Sequence, residues 1–167
     1  MSWGNKVIHN DFQPQELFQT SLYNEDTFYE QFISDLQNSL HEVIIESPYI
    51  TLKRLSVFKK IFESLKQRKI PVFIITRDPR EHDEVMAVQS ELGIRWFENI
   101  GIQVLLENGG HHWKLAIIDR EILYEGSLNI LSQTKRREIM RRIKLHRITL
   151  QIIIFLEYSK NFNCLQF

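Results

Sequence analysis

Two short apolar, β-branched runs joined by a single amphipathic stretch restrict what this chain can fold into more than any other feature. Residues 42–51 read EVIIESPYIT and residues 71–77 read PVFIITR. A continuous apolar run of strand length suits a strand covered on both faces. Between them Leu55, Phe58, Ile61, Phe62 and Leu65 recur at three- and four-residue steps over about residues 53–68, the spacing of one helix face. Strand, helix, strand is the pattern of a layered α/β domain whose sheet is at least partly parallel.

The flanks extend the pattern. Residues 1–24 lack periodicity and read as an N-terminal extension, leaving 25–167 as one domain, which at this length has room for a core of its own. Asn24 or Asp26 can cap a first helix with Phe28, Phe32, Ile33, Leu36 and Leu40 on its buried face. Pro79 stands where a third helix can begin, and Val85, Met86, Val88, Leu92, Trp96 and Phe97 supply its apolar side. Residues 101–107 then read as a strand and 108–110, Asn-Gly-Gly, as a turn. Residues 111–119 and 121–129 read as two more strands around a bend at Asp119 and Arg120. Residues 137–147 look helical, whereas 148–155 suit a helix end or a strand equally.

Charge is informative only locally. The net charge is zero, so the total favours no polyanionic partner. Yet residues 1–50 hold Lys6 alone against eight carboxylates, while Lys135, Arg136, Arg137, Arg141, Arg142, Lys144 and Arg147 crowd into one stretch. That stretch is either a local phosphate-binding surface or the solvated face of a terminal helix; composition does not choose. Cys164 is the single cysteine, so no intrachain disulfide can form. The first fifteen residues carry no apolar run of signal-peptide type. The most apolar stretch, 148–156, falls short of the roughly 20 residues that span a bilayer. A soluble, cytoplasmic protein without a membrane partner is expected.

The chemistry concentrates in residues 112–129. On a strand, His112 and Lys114 point to one face and Trp113 and Leu115 to the other; Ser127 and Asn129 likewise share a face. If the two strands are neighbours, an imidazole, an ammonium, a hydroxyl and an amide meet at one end of an apolar sheet. Burying a histidine beside a lysine is costly, since desolvation and mutual repulsion both oppose the charged forms. A phosphodiester between them removes that cost. Of the neighbours, Trp113 reads as core packing, Asp119 suits a turn or structural ion pair at least as well as catalysis, and His111 receives no role. His82, Asp83 and Glu84 suggest a metal site at first sight, but acidic residues in a first helical turn complement the helix dipole.

His112-x-Lys114-x4-Asp119-x6-Gly126-Ser127-x-Asn129 resembles the HKD motif of the phospholipase D superfamily and the Gly-Ser-x-Asn that follows it. Six fixed residue types at fixed spacing arise by chance with a probability of about 10⁻⁶ in a chain of this size. The resemblance implies an α/β fold with a phospholipase D-like mixed β-sheet flanked by helices on both faces. It implies that His112 attacks phosphorus to give a phosphohistidine, while a second histidine protonates the leaving oxygen and then activates water. Lys114 and Asn129 would hold the non-bridging oxygens, Ser127 would orient a neighbour or bind phosphate, and Glu138 would hold the histidine by its other nitrogen. Asp119 and Gly126 complete the motif as structural residues. Neither metal nor cofactor is implied, since protein cations take the metal's place.

One motif per chain, for chemistry that needs two histidines, implies a homodimer with the site shared across its two-fold axis. Short single-motif members of the superfamily are nucleases more often than lipases. Lys135, Arg136, Arg137, Arg141 and Arg142 would then bind phosphates of DNA or RNA beyond the scissile one. A phospholipid phosphodiesterase or phosphatidyltransferase remains the alternative, as does a catalytically idle module of a larger machine.

Overall fold

The computed structural model describes residues 19–132 and 137–156. In chain order it consists of β1 (Gln19–Asn24), α1 (Phe28–Asn38), β2 (Val43–Glu46), α2 (Leu52–Gln67), β3 (Val72–Arg77), one turn of 3-10 helix (Pro79–Glu81), α3 (Glu84–Asn99), β4 (Gln103–Glu107), β5 (Leu115–Ile118), β6 (Ile122–Gly126), β7 (Ile139–Lys144) and α4 (His146–Phe155). The strands form one seven-stranded sheet in the order β1-β7-β6-β5-β2-β3-β4. β2, β3 and β4 run parallel, and β5, β6, β7 and β1 continue the sheet antiparallel.

Strand alternation divides the apolar residues between two faces. Val43, Ile45, Val72, Ile74, Ala116, Tyr124 and Met140 point to the face covered by α1, α2 and α3. Phe28, Phe32, Phe58 and Tyr124 are fully buried there, their rings meeting mostly edge to face. Ile44, Phe73, Ile75, Leu115, Ile117, Leu123 and Ile143 point to the other face, onto which α4 packs Ile153. Helices therefore cover both faces of a mixed sheet, as expected.

The β5–β6 hairpin turns through Asp119 and Arg120, both with positive φ, 56° and 57°, and the Glu121 amide closes the turn onto the Ile118 carbonyl at 3.1 Å. The Asp119 carboxylate accepts hydrogen bonds from Ser39 Oγ and the Leu40, His41 and Glu42 amides at 2.8–3.0 Å. Arg120 adds an ion pair to Glu42 at 2.7 Å. Asp119 therefore ties the hairpin to the α1–β2 connection and has a structural role.

Several expectations are corrected. Residues 19–24, read as part of an extension, form β1 and pair along the whole of β7. Leu40 lies beyond α1 and is exposed. Pro79 starts only the 3-10 turn; α3 begins after Asp83, whose carboxylate caps it by accepting from the Met86 amide. The buried side of α3 is Ser90, Gly93, Ile94 and Phe97, while Val85, Val88 and Leu92 are exposed. Small residues carry that contact because a Cβ on Gly93 would stand 2.5 Å from Ile50 Cγ2.

The largest correction concerns residues 137–147, which look helical in isolation. Residues 139–144 form a strand hydrogen-bonded on both sides, to β6 and β1; tertiary pairing overrides a modest helical pattern. Residues 148–155, left open between helix and strand, lie in α4.

Candidate active site

The topology brings the motif to one end of the sheet. The carboxyl ends of β2, β3 and β4 lie beside the start of β5, the end of β6 and the start of β7, because Glu46 pairs with Leu115, Leu115 with Glu125, and Gly126 with Met140. The carboxyl ends of parallel strands are where α/β sheets bind ligands. Here that edge carries residues 108–114, 127–129 and 137–138.

His112 and Lys114 precede β5 rather than lying within it, so strand alternation is not what aligns them. Both nevertheless line the same cavity, of about 870 Å³. The Lys114 ammonium folds back to donate to the His112 carbonyl oxygen at 2.8 Å. The Tyr49 ring meets the imidazole edge-on, with centroids 6.1 Å apart. Burial first, and then the charges of Lys114, Arg77 and His111, hold the His112 pKa below its ordinary value. Burial also lowers that of Lys114, opposed by the Glu138 carboxylate. The neutral form of the imidazole is thus favoured by its surroundings.

The other motif residues divide. Gly126 lines the cavity, and nothing larger fits: a Cβ there would stand 2.2 Å from the Ile139 carbonyl oxygen and 2.9 Å from Met140 Cα. Because both obstacles are backbone, Gly126→Ala is expected to lower stability by about 1–3 kcal/mol, seen as a lower urea midpoint at unchanged m-value. Ser127 joins the two strands instead of lining the cavity: its hydroxyl accepts from the Ile139 amide at 3.1 Å. Asn129 is held by its backbone, whose carbonyl accepts from the Ser132 amide and Tyr29 hydroxyl; its side-chain oxygen is buried without a hydrogen-bond partner. Glu138 is half-buried, with its amide donating to Glu25 at 3.3 Å.

The basic stretch does not form one surface. Alternation on β7 sends Arg142 to the α1 face, where it pairs with Asp35 at 2.7 Å, while Asp35 also accepts from the Tyr124 hydroxyl. Arg142 is therefore a structural ion pair, not a contact for phosphates. Arg141 points to the cavity side, lines it, and lies 3.7 Å from Glu125 in an exposed pair. Arg137 is exposed. Lys135 and Arg136 lie outside the described residues.

Trp113 also differs from expectation: it is 41% exposed and lines the cavity rather than a core. His111, given no role by parity, sets its Nε2 2.8 Å from Glu46 Oε1, both side chains being nearly buried. Burial raises the Glu46 pKa, and the adjacent His111 ring opposes the rise. Tyr49, Arg77 and His82 were missed as site residues. Tyr49 packs against His82 in a tilted arrangement with centroids 4.9 Å apart and stands edge-on to His112, and Arg77 is near enough to depress the His112 pKa. The signal that finds them is positional: each closely follows or ends a parallel strand. Among the described residues, no cluster of His, Cys, Asp or Glu could hold a metal ion, and no helix is long and apolar enough to cross a membrane.

The mixed sheet with an imidazole–lysine pair at one edge has the frame of a phospholipase D-like fold, and comparison gives the same family. Residues 32–159 match the family described as cardiolipin synthase, PLD-like domain; the chain belongs to this phospholipase D-like family. No curated protein sequence matches it significantly. Among solved structures it is similar to NucT from Helicobacter pylori, with 22% identity, a TM-score of 0.64, and coverage of 84% of this chain and 94% of that one. It is likewise similar to Nuc, a phospholipase D family member from Salmonella typhimurium, with 16% identity, a TM-score of 0.66 and coverage of 86% and 93%. Phosphatidylserine synthase from Haemophilus influenzae gives 15% identity and a TM-score of 0.64, over 89% of this chain and 39% of that one.

Proposed function

We propose that the protein is a metal-independent phosphodiesterase that hydrolyses nucleic acid through a phosphohistidine on His112. The observation that carries this reading is the pairing of His112 and Lys114 on the wall of one cavity, with the imidazole drawn toward its neutral form. Two adjacent cationic groups with lowered pKa values mark a place prepared for an anion. In the reaction, neutral His112 attacks phosphorus in line and one alkoxide leaves with a proton from a second histidine. Lys114 turns from the His112 carbonyl to a non-bridging oxygen, and Asn129, whose side-chain oxygen is buried without a hydrogen-bond partner, is the amide that joins it there. Glu138 balances the lysine charge and Ser127 fixes the β6–β7 junction that carries both.

The second histidine is supplied by a second copy of the chain, so the active unit is a homodimer. Exposed Leu22, Trp113 and Ile139 flank the cavity and suit a surface that another copy covers. A dimer mixed from wild-type and His112→Ala copies is then expected to be inactive, and a fully active monomer would end the shared-site reading. Arg141, Arg137 and the basic residues just before them supply phosphate contacts, which makes binding sensitive to salt and indifferent to sequence. The solved relatives named Nuc and NucT fit a nucleic-acid substrate.

A lipid substrate is the second reading, favoured by one observation. Ile75, Leu105, Leu115, Leu123, Ile152 and Leu156 line the cavity, an apolar trough of the kind an acyl chain fills. Plasmid DNA and RNA in EDTA, beside phosphatidylcholine and phosphatidylglycerol vesicles, separate the two. Nicking in EDTA without release of headgroup is expected; headgroup release without nicking would transfer the assignment to lipid.

A further inference from the structure

The segment that delivers His112 is held by groups outside the HKD signature. Gly109 and Gly110 are both left-handed, with φ of 85° and 76°, a conformation that glycine alone adopts at little cost. Successive amides of a turn can converge on one anion. The anion here belongs to the protein: Glu81 accepts from the Gly109 amide at 2.7 Å and the Gly110 amide at 3.1 Å. Arg77 Nε donates to the same carboxylate at 2.9 Å. Arg77 ends β3, and Glu81 sits in the 3-10 turn that Asp78 caps by accepting from the Arg80 amide. The turn is joined to β4 by the Asp78 amide, which donates to the Glu107 carbonyl at 2.9 Å. On the other side of the segment, Glu46 anchors His111.

We propose that Glu81 is a positioning residue for His112: its carboxylate fixes residues 109–110 two positions before the nucleophile and shares the charge of Arg77, which would otherwise act on the imidazole alone. This rests on the reading of His112 as nucleophile. The charged groups facing that imidazole are Lys114, Arg77 and His111, with Glu81 on Arg77, Glu46 on His111 and Glu138 near Lys114. Removing the Glu81 charge leaves Arg77 uncompensated, which disfavours imidazolium and moves the His112 titration to lower pH. Loosening the two amides moves the imidazole from its line of attack, and a displacement of about 1 Å is worth on the order of 100-fold in rate.

Glu81→Gln is therefore expected to lower kcat on a chromogenic phosphodiester by about 10- to 100-fold, with KM nearly unchanged. The acid limb of kcat/KM should move to lower pH, together with the His112 midpoint read by NMR. Gly109→Ala separates the two effects, because its Cβ meets no atom within 4 Å and only the backbone conformation suffers. It should lower kcat and leave the His112 midpoint in place. Glu91→Gln, which breaks an exposed pair on α3, should change neither. In Glu81→Gln the Gly109 and Gly110 amide protons should also move upfield as their acceptor loses its charge. Wild-type kcat in Glu81→Gln, or activity lost only in proportion to unfolded protein, would overturn the proposal, as would an unmoved His112 midpoint. If wild type hydrolyses no phosphodiester at all, the function reading fails separately, and the NMR shifts of His112, Gly109 and Gly110 still decide for or against the clamp.

Discussion

His112→Ala is expected to lower phosphodiester hydrolysis by at least about 10³-fold, the scale on which removing a nucleophile from an interdependent site acts. The folded protein should survive the change. His112 is exposed, and its ring meets Tyr49 across 6.1 Å, so truncation opens no hole in either core. A melting temperature within about 2 °C of wild type is expected for a change at such a surface position. The pH profile adds an independent check. Partial desolvation at the cavity wall and the positive neighbours Lys114, Arg77 and His111 hold imidazolium at a disadvantage, so the rising limb of the rate should lie below the usual histidine value of about 6.5. Lys114→Met removes one of those charges and lets imidazolium form more easily. The limb should then move to higher pH while the rate falls about 100-fold or more through the lost oxyanion partner. Equal cutting by wild type and His112→Ala would remove His112 from the chemistry, whatever the fold.

The parallel half of the sheet was readable because buried strands and the amphipathic helix between them carry strong apolar periodicity. Leu55, Phe58, Ile61, Phe62 and Leu65 face the core as their spacing requires. The same rule misjudged α3, since close helix packing there rests on Ser90 and Gly93, which an apolar count ignores. It also misjudged residues 139–144. Met140 and Ile143 lie three apart, as on one helix face, yet in the strand they belong to opposite faces of the sheet. Only the pairing partners β6 and β1 settle that choice, and β1 itself has no apolar pattern to announce it. For the site, the motif spacing singles out His112 and Lys114, which the fold brings to one cavity, while the groups around them come from sequence-distant strand ends. Tyr49, Arg77, Glu81 and His82 meet at the sheet edge through topology, which no local window contains. The basic run failed as a surface for a related reason: alternation divides Arg141 from Arg142, and Asp35 takes the second.

The largest expected loss of stability comes from Asp119, the motif carboxylate that holds the hairpin to the α1–β2 connection. Asp119→Ala leaves Ser39 Oγ and the Leu40, His41 and Glu42 amides without their common acceptor. It also puts alanine at a φ of 56°, a conformation that costs an L-residue about 1–2 kcal/mol. Water can reach some of the freed donors, so the total should be about 3 kcal/mol rather than the sum of four charged hydrogen bonds. The pH dependence has a definite sign. Burial alone would raise the Asp119 pKa, but the three amides and the serine hydroxyl outweigh it and hold the carboxyl below its ordinary range. The folded pKa is thus lower than the unfolded value of about 3.9, and the stabilisation is complete above that value. It fades as pH falls through it toward the folded pKa, because the unfolded chain takes up the proton more readily. Urea midpoints of wild type and Asp119→Ala should therefore lie far apart at neutral pH and converge in acid. Asp119→Asn keeps an acceptor oxygen and tolerates the left-handed backbone, so it should fall between them with a flatter acid dependence. A gap between wild type and Asp119→Ala of the same size at pH about 3 as at neutrality would show that the carboxylate's charge is not what holds the hairpin to the α1–β2 connection.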